Sequence, residues 1–235
     1  MRLSSLLPGR PFPAPAPAAP FRAIGDIHGC ADLLARALDR PGPPAICLGD
    51  MVDRGPDSAG VLRMLAARPD IPCLMGNHEE MLLAFLNDPD LDARWLRHGG
   101  AETLESFGLQ APSPDAPLEA VAAAAHALAK AMGPDLIAWL AALPSLWRSG
   151  NVAVVHAAAD PARPIPDQRI EVLRWGHRDF GRRRRRDGVW VVHGHVVVER
   201  PVCRDGVVSI DTGAWATGRL TMAHVAAGGI RFEEA

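Results

Sequence analysis

The chain has 235 residues, 48% of them hydrophobic and 22% charged, with a formal net charge of −2 at pH 7. That balance excludes a disordered chain, a collagen-like repeat and a strongly basic nucleic-acid binder, and it leaves a globular protein with a substantial core. Positive charge is almost all arginine, Lys130 being the single lysine, and tyrosine is absent.

In chain order, residues 1–20 form a Pro/Ala-rich N-terminal extension. Prolines at 8, 11, 13, 15, 17 and 20 break the apolar run of roughly 7–15 residues that a secretory leader needs, so the segment reads as extended polyproline. No stretch reaches the roughly 20 apolar residues of a membrane span, and neither a membrane nor a nucleic acid is expected as a partner. Cys30, Cys47, Cys73 and Cys203 contain no C-x-x-C pair. They argue against a disulfide scaffold or a zinc–thiolate site and point to a cytoplasmic location.

From residue 21 short apolar strands alternate with helices. Strands are expected over 21–24, 45–48 and 71–75, and helices over 32–38, 58–67 and 79–86, with Asp57 capping the second helix after Pro56. Each strand runs into glycine plus a polar residue: Gly25-Asp26, Gly49-Asp50, Gly76-Asn77. Residues 92–142 are alanine-rich and helical, clearest over 121–132 and 135–143, with a proline loop at 111–117. Strand character returns over 152–156, 189–198, 206–211 and 219–226. Parallel units followed by hairpins indicate an α/β sheet protein in one domain, residues 21–235, with 87–145 as a helical insertion.

The polar residues gather where such strands end. They are Asp26 and His28 in GDIHG, Asp50, Asp53 and Arg54 in GDMVDRG, Asn77 and His78 in GNHE, then His156 and His195. Ligands of open α/β sheets collect at the carboxyl ends of strands. Carboxylate, imidazole and amide oxygen together suit a divalent cation such as Mn²⁺, Fe²⁺ or Zn²⁺. Each residue taken singly has a plain structural reading, as a turn former or a buried histidine; their order and number favour the metal reading.

That ordered set resembles the phosphoprotein phosphatase family of calcineurin-like metallophosphoesterases, and within it the bacterial and phage serine/threonine protein phosphatase branch. The resemblance spans Gly25 to His195. It implies two mixed β-sheets packed as a sandwich flanked by helices, and a binuclear centre of two divalent ions, Mn²⁺ first with Fe, Zn or Ni as alternatives. Asp26 and His28 would hold one ion, Asp50 would bridge, and Asn77, His156 and His195 would hold the other. Arg54 would bind phosphate, His78 would protonate the leaving group, and Asp53 would orient His78. Arg178 is expected as a second phosphate-binding arginine, with Arg174 as the alternative.

The resemblance implies hydrolysis of phosphate monoesters by metal-activated water, with phosphoserine or phosphothreonine on proteins as substrate. Hydrolysis of dinucleoside tetraphosphates or another small phosphoester is the alternative, and a non-catalytic metal-binding regulator is a second. Val196 and Val197 follow His195 where phosphodiesterases of the wider superfamily carry a further histidine ligand. Asp53 and Glu79 favour the protein-phosphatase group over the tetraphosphatases. The run Arg182–Arg186 reads as a solvated loop, or else as a patch for an acidic substrate. His98, His126 and His224 read as structural, Cys30 as a small buried residue, and His177 and His193 as groups orienting the ligands.

Overall fold

The computed structural model describes residues 11–235; the first half of the Pro/Ala extension lies outside them. Two mixed sheets face each other. In the first, β1 (Phe21–Ile24) runs parallel to β2 (Ala45–Cys47) and antiparallel to β8 (Thr221–Ala226), which pairs with β9 (Gly229–Glu234). In the second, β4 (Val152–Val155), β5 (Trp190–His193) and β7 (Val207–Ser209) are parallel neighbours. They are edged by antiparallel β3 (Leu146–Ser149) and β6 (Val202–Arg204).

Side-chain alternation divides the core into layers. Phe21, Ala23, Ile46, Ala223 and Val225 of the first sheet meet Val152, Val154, Trp190, Val192 and Val208 of the second in one buried cluster. The opposite face of the first sheet, with Ile24, Cys47 and Met222, packs on helices. These are α1 (Ala31–Asp39), α2 (Ser58–Ala66) and α3 (Asn77–Asn87), then α4 (Pro89–Asp92), a 3₁₀ turn over Ala93–His98, α5 (Gly100–Ser106), α6 (Leu118–Met132) and α7 (Pro134–Ala141). The outer face of the second sheet, with Ala153, Val155 and Val191, is covered by Leu173 of α8 (Ile170–Trp175). The short α9 (Ala214–Thr217) follows β7. The sandwich and flanking helices agree with the fold that the resemblance implies.

Three expected elements differ in the structure, and strands β3, β6 and β9 answer to none of the expected ones. Residues 71–75 form no strand, only a parallel bridge between Cys47 and Cys73. Pro72 has no N–H to give a ladder, and the N–H of Met75 turns away to the Pro144 carbonyl at 2.8 Å. The strand expected over 189–198 stops at His193, because His195 takes a left-handed backbone (φ 65°) and turns the chain. Helix α3 begins two residues early, at Asn77, where the Glu79 carboxylate accepts the Gly76 N–H (2.8 Å) and closes the first turn. Asp57 does cap α2, accepting from the N–H of Gly60 at 2.7 Å.

The described half of the extension is extended and fastened down. Trp190 Nε1 donates to the Pro13 carbonyl (2.8 Å), the Ala16 N–H to Asn151 Oδ1 (2.6 Å), and the Gly228 N–H to the Pro15 carbonyl (2.8 Å). Among the described residues no helix is long and apolar enough to cross a membrane.

Candidate metal centre

The parallel strands of both sheets end at one edge. There β1 delivers Asp26, β2 Asp50, β4 His156 and β5 His195, while the N-terminal turn of α3 brings Asn77 and His78. Among the described residues six non-glycine residues have positive φ, and five of them are here: His28 (42°), Asp50 (47°), Asp53 (72°), Arg54 (68°) and His195 (65°). Such conformations cost on the order of 1–3 kcal/mol each and persist only where surrounding contacts impose them. The sixth, Asp205, makes the Asp-Gly turn between β6 and β7.

Four donor atoms converge on one point. Asn77 Oδ1 lies 2.9 Å from His156 Nε2 and 2.8 Å from His195 Nδ1. The two ring nitrogens are 3.2 Å apart, and Asp50 Oδ1 is 3.3 Å from His156 Nε2. One imidazole nitrogen carries at most one proton, so protons cannot satisfy all of His156's neighbours at once. Ligand atoms about 2.1 Å from a transition ion stand about 3 Å apart when at right angles, which is the spacing found here. A divalent cation fits this donor set.

The other carboxylate oxygen of Asp50 faces a second group. Oδ2 lies 3.5 Å from His28 Nε2 and 3.9 Å from His78 Nε2. His28 Nδ1 is 2.8 Å from the Val52 carbonyl, which assigns the proton to Nδ1 and leaves Nε2 a lone pair. Asp26 joins from β1. Its Oδ2 accepts the N–H of His195 (2.8 Å), whereas Oδ1 is buried without a partner. This close approach requires Gly194, since a Cβ there would overlap Asp26 Oδ1. Asp50 is thus common to both groups that the sequence divides between two ions.

Electrostatics sort the histidines. Burial pushes His28 and His156 down to about 4 and also lowers His195, so all three are neutral near pH 7, the state a metal ligand requires. His78 goes the other way. Burial opposes its charge, but the Asp50 carboxylate and the hydrogen bond to Asp53 outweigh it and raise its pKa. Burial likewise opposes ionisation of Asp50, yet His156, His78 and His28 hold its carboxyl well below the usual range. Asp26 is raised by burial and by the carboxylates of Asp211 and Asp50. Buried carboxylates crowded in this way call for a cation.

His78 Nδ1 bonds Asp53 Oδ2 at 2.6 Å, and Asp53 is itself fully enclosed. Trp95 Nε1 donates to the same oxygen (2.8 Å) and Thr103 Oγ1 to the other (2.7 Å). Arg54 lies across the mouth, with Nη1 3.2 Å from His28 Nε2 and Nη2 3.1 Å from His78 Nε2. Its guanidinium packs over the Trp215 ring, 5.5 Å from the centroid.

Every residue assigned to this site from the sequence gathers here except Arg178. Arg178 is exposed after α8 and shares no hydrogen bond or ion pair with these side chains. Arg174, the alternative, is held on Ser145 Oγ (2.8 Å) and near Glu80 (3.5 Å). His193 and His177 orient no ligand: His193 bonds Gly194 and Ser209 (2.9 and 2.7 Å), and His177 faces Asp179 and Asp160.

Three features went unread in the sequence. Asp211, just beyond β7 in Asp-Thr-Gly, stands beside Asp26; like Asp26 and Asp50 it is a carboxylate at a strand end, although its glycine follows at Gly213 instead of preceding it. Glu79 accepts backbone N–H groups from Asp50, Met51, Val52 and Gly76. A groove of about 530 Å³ adjoins the centre, lined in part by Arg54, Met81, Arg94, His98 and Trp175. His98, read as structural, forms part of its wall.

A sequence model described as calcineurin-like phosphoesterase matches residues 19–203. The chain is 29% identical to a symmetrical bis(5'-nucleosyl)-tetraphosphatase of Ralstonia nicotianae, over 88% of this chain and 89% of that protein. It is 37% identical to serine/threonine-protein phosphatase 1 of Salmonella typhimurium over a shorter stretch, 33% of this chain and 37% of the other. Among solved structures, a candidate diadenosine tetraphosphatase superposes with a TM-score of 0.64 at 22% identity, covering 95% of this chain and 99% of that one.

Proposed function

The chain belongs to the calcineurin-like phosphoesterase family, and on that premise we propose that it cleaves the polyphosphate bridge of a symmetrical dinucleoside tetraphosphate, releasing two nucleoside diphosphates. The observation that carries this choice is the end-to-end likeness to a tetraphosphatase, against a likeness confined to a third of the chain for the protein phosphatase. This reverses the preference drawn from Asp53 and Glu79 in the sequence. A phosphoserine/phosphothreonine protein phosphatase becomes the second reading, supported by the Asp53–His78 pair and the Salmonella relative.

Asp26, His28 and Asp50 would hold one divalent ion, and Asp50, Asn77, His156 and His195 the other, with Mn²⁺ the proposed metal. Two such ions, when bound, supply a water acidic enough to ionise near neutral pH and offset the charge of the phosphate. Arg54 would fork onto non-bridging phosphate oxygens. In doing so it leaves His78 Nε2, which cannot carry a proton while a guanidinium N–H points at it. His78, kept cationic by Asp53 and Asp50, would then pass its Nε2 proton to the departing oxygen as the P–O bond breaks and water's oxygen bonds to phosphorus.

The test is a comparison of kcat/KM on diadenosine tetraphosphate and on a phosphoserine peptide with Mn²⁺-loaded protein. The proposal expects a clear preference for the nucleotide, with ADP as the sole nucleotide product. Preference for the peptide establishes the second reading instead.

A further inference from the structure

We infer that the groove beside the metal centre is a nucleobase site in which Trp175 is the stacking platform. The inference rests on the nucleotide reading above and adds where the base sits. Trp175 is 46% exposed, as is Trp215, but the Trp215 ring is covered by the Arg54 guanidinium. Trp175 Nε1 donates to Glu80 Oε2 at 3.0 Å, and Arg174 lies 3.5 Å from the same oxygen. Arg174 is in turn tied to Ser145. These contacts orient the ring, which lines the groove that Arg54, Asn77 and His78 also line.

Size and chemistry point to the same occupant. A volume of about 530 Å³ lies within the ordinary range for small-molecule pockets and exceeds what a phosphate group fills. Met81 and Ala84 offer apolar contact to a planar ring, while Arg94 and His98 on the 3₁₀ turn suit the phosphate or ribose side. The groove is thus lined both by residues of the metal centre and by an oriented aromatic face. A base joined to a phosphate chain matches that arrangement; an inorganic phosphate or an aliphatic phosphoserine side chain would leave the ring uncovered. Stacking on an aromatic side chain contributes roughly 1–3 kcal/mol per base, so its loss corresponds to about 5- to 150-fold in affinity.

The experiment measures ADP and pyrophosphate binding by titration calorimetry with the Mn²⁺-loaded protein, for wild type, Trp175→Ala and Trp175→Phe. In the wild type ADP should bind at least about fivefold more tightly than pyrophosphate. That ratio should fall to near one in Trp175→Ala and be largely restored in Trp175→Phe, where a π-face returns without the indole. An unchanged ratio in Trp175→Ala, or a wild type that does not distinguish the two ligands, overturns the base site. Turnover of diadenosine tetraphosphate by the wild type is scored separately, so failure of the nucleotide reading and failure of the base site give different results.

Discussion

Asp53 decides what His78 can do. Its carboxylate is enclosed by His78, Trp95 and Thr103, so the ring is held in one orientation with its charge supported. His78→Asn should therefore leave Mn²⁺ affinity nearly unchanged and lower kcat by about 100-fold on alkyl phosphates. The loss should be much smaller on aryl phosphates, whose leaving oxygens need no proton; equal losses on both would exclude the acid role. Asp50→Asn is a different case, because Asp50 faces both donor groups. It should abolish binding of both ions in calorimetry and reduce turnover at least about 100-fold, and retention of two sites would refute its shared position. A third residue reports on pH. Burial lowers His193 to about 4, while an unfolded histidine titrates near 6.5. The unfolded chain thus takes up a proton first, and stability falls as pH drops from about 6.5 to 4, by up to about 1.4 kcal/mol per unit for this residue. His193→Asn should flatten that slope in urea titrations of the metal-free protein by one proton's worth; an unaltered slope would show that His193 does not contribute.

At the scale of elements, α3 does two jobs in one turn. Its start presents Asn77 and His78, and Glu79 in the same turn receives the backbone N–H groups of Asp50, Met51 and Val52. The β2 loop and the helix are consequently one unit. Glu79→Ala leaves those donors buried and unpaired, at about 1–3 kcal/mol each where nothing replaces the carboxylate. Thermal denaturation should show a loss of at least about 3 kcal/mol, together with weaker Mn²⁺ binding; intact metal affinity would mean that the loop holds its shape unaided. The elements also show what could be read in advance. GDIHG, GDMVDRG and GNHE are local, and their glycines and carboxylates announce strand-end turns without any partner. Trp95, Thr103 and Trp175 could not be singled out this way. They reach the site from the 3₁₀ turn, α5 and α8, through packing between segments far apart in the chain. Asp211 was legible and overlooked. The missing strand over 71–75 was signalled by Pro72.

For the whole molecule, the sandwich sets the edge on which everything converges. Two layers of parallel strands point their carboxyl ends the same way, which is why residues as distant as Asp26 and His195 come within a hydrogen bond of each other. The extension works at the opposite edge. Phe12 meets Trp190 edge-on at 5.3 Å and also carries the Arg184 guanidinium over its ring. Phe12→Ala should lower Tm by several degrees, from roughly 1–3 kcal/mol of lost burial, with Mn²⁺ affinity unchanged. A fall in metal affinity would mean that the two edges are coupled.

The belt over residues 13–16 also fixes which way the molecule faces. It crosses the turns before β4 and after β8, so the polypeptide enters the sandwich from the side away from its reactive mouth. A sensor surface that holds the protein by the edge under residues 13–16 would present that mouth outward to bulk solvent, and a bulky ligand could reach it without steric hindrance from the support.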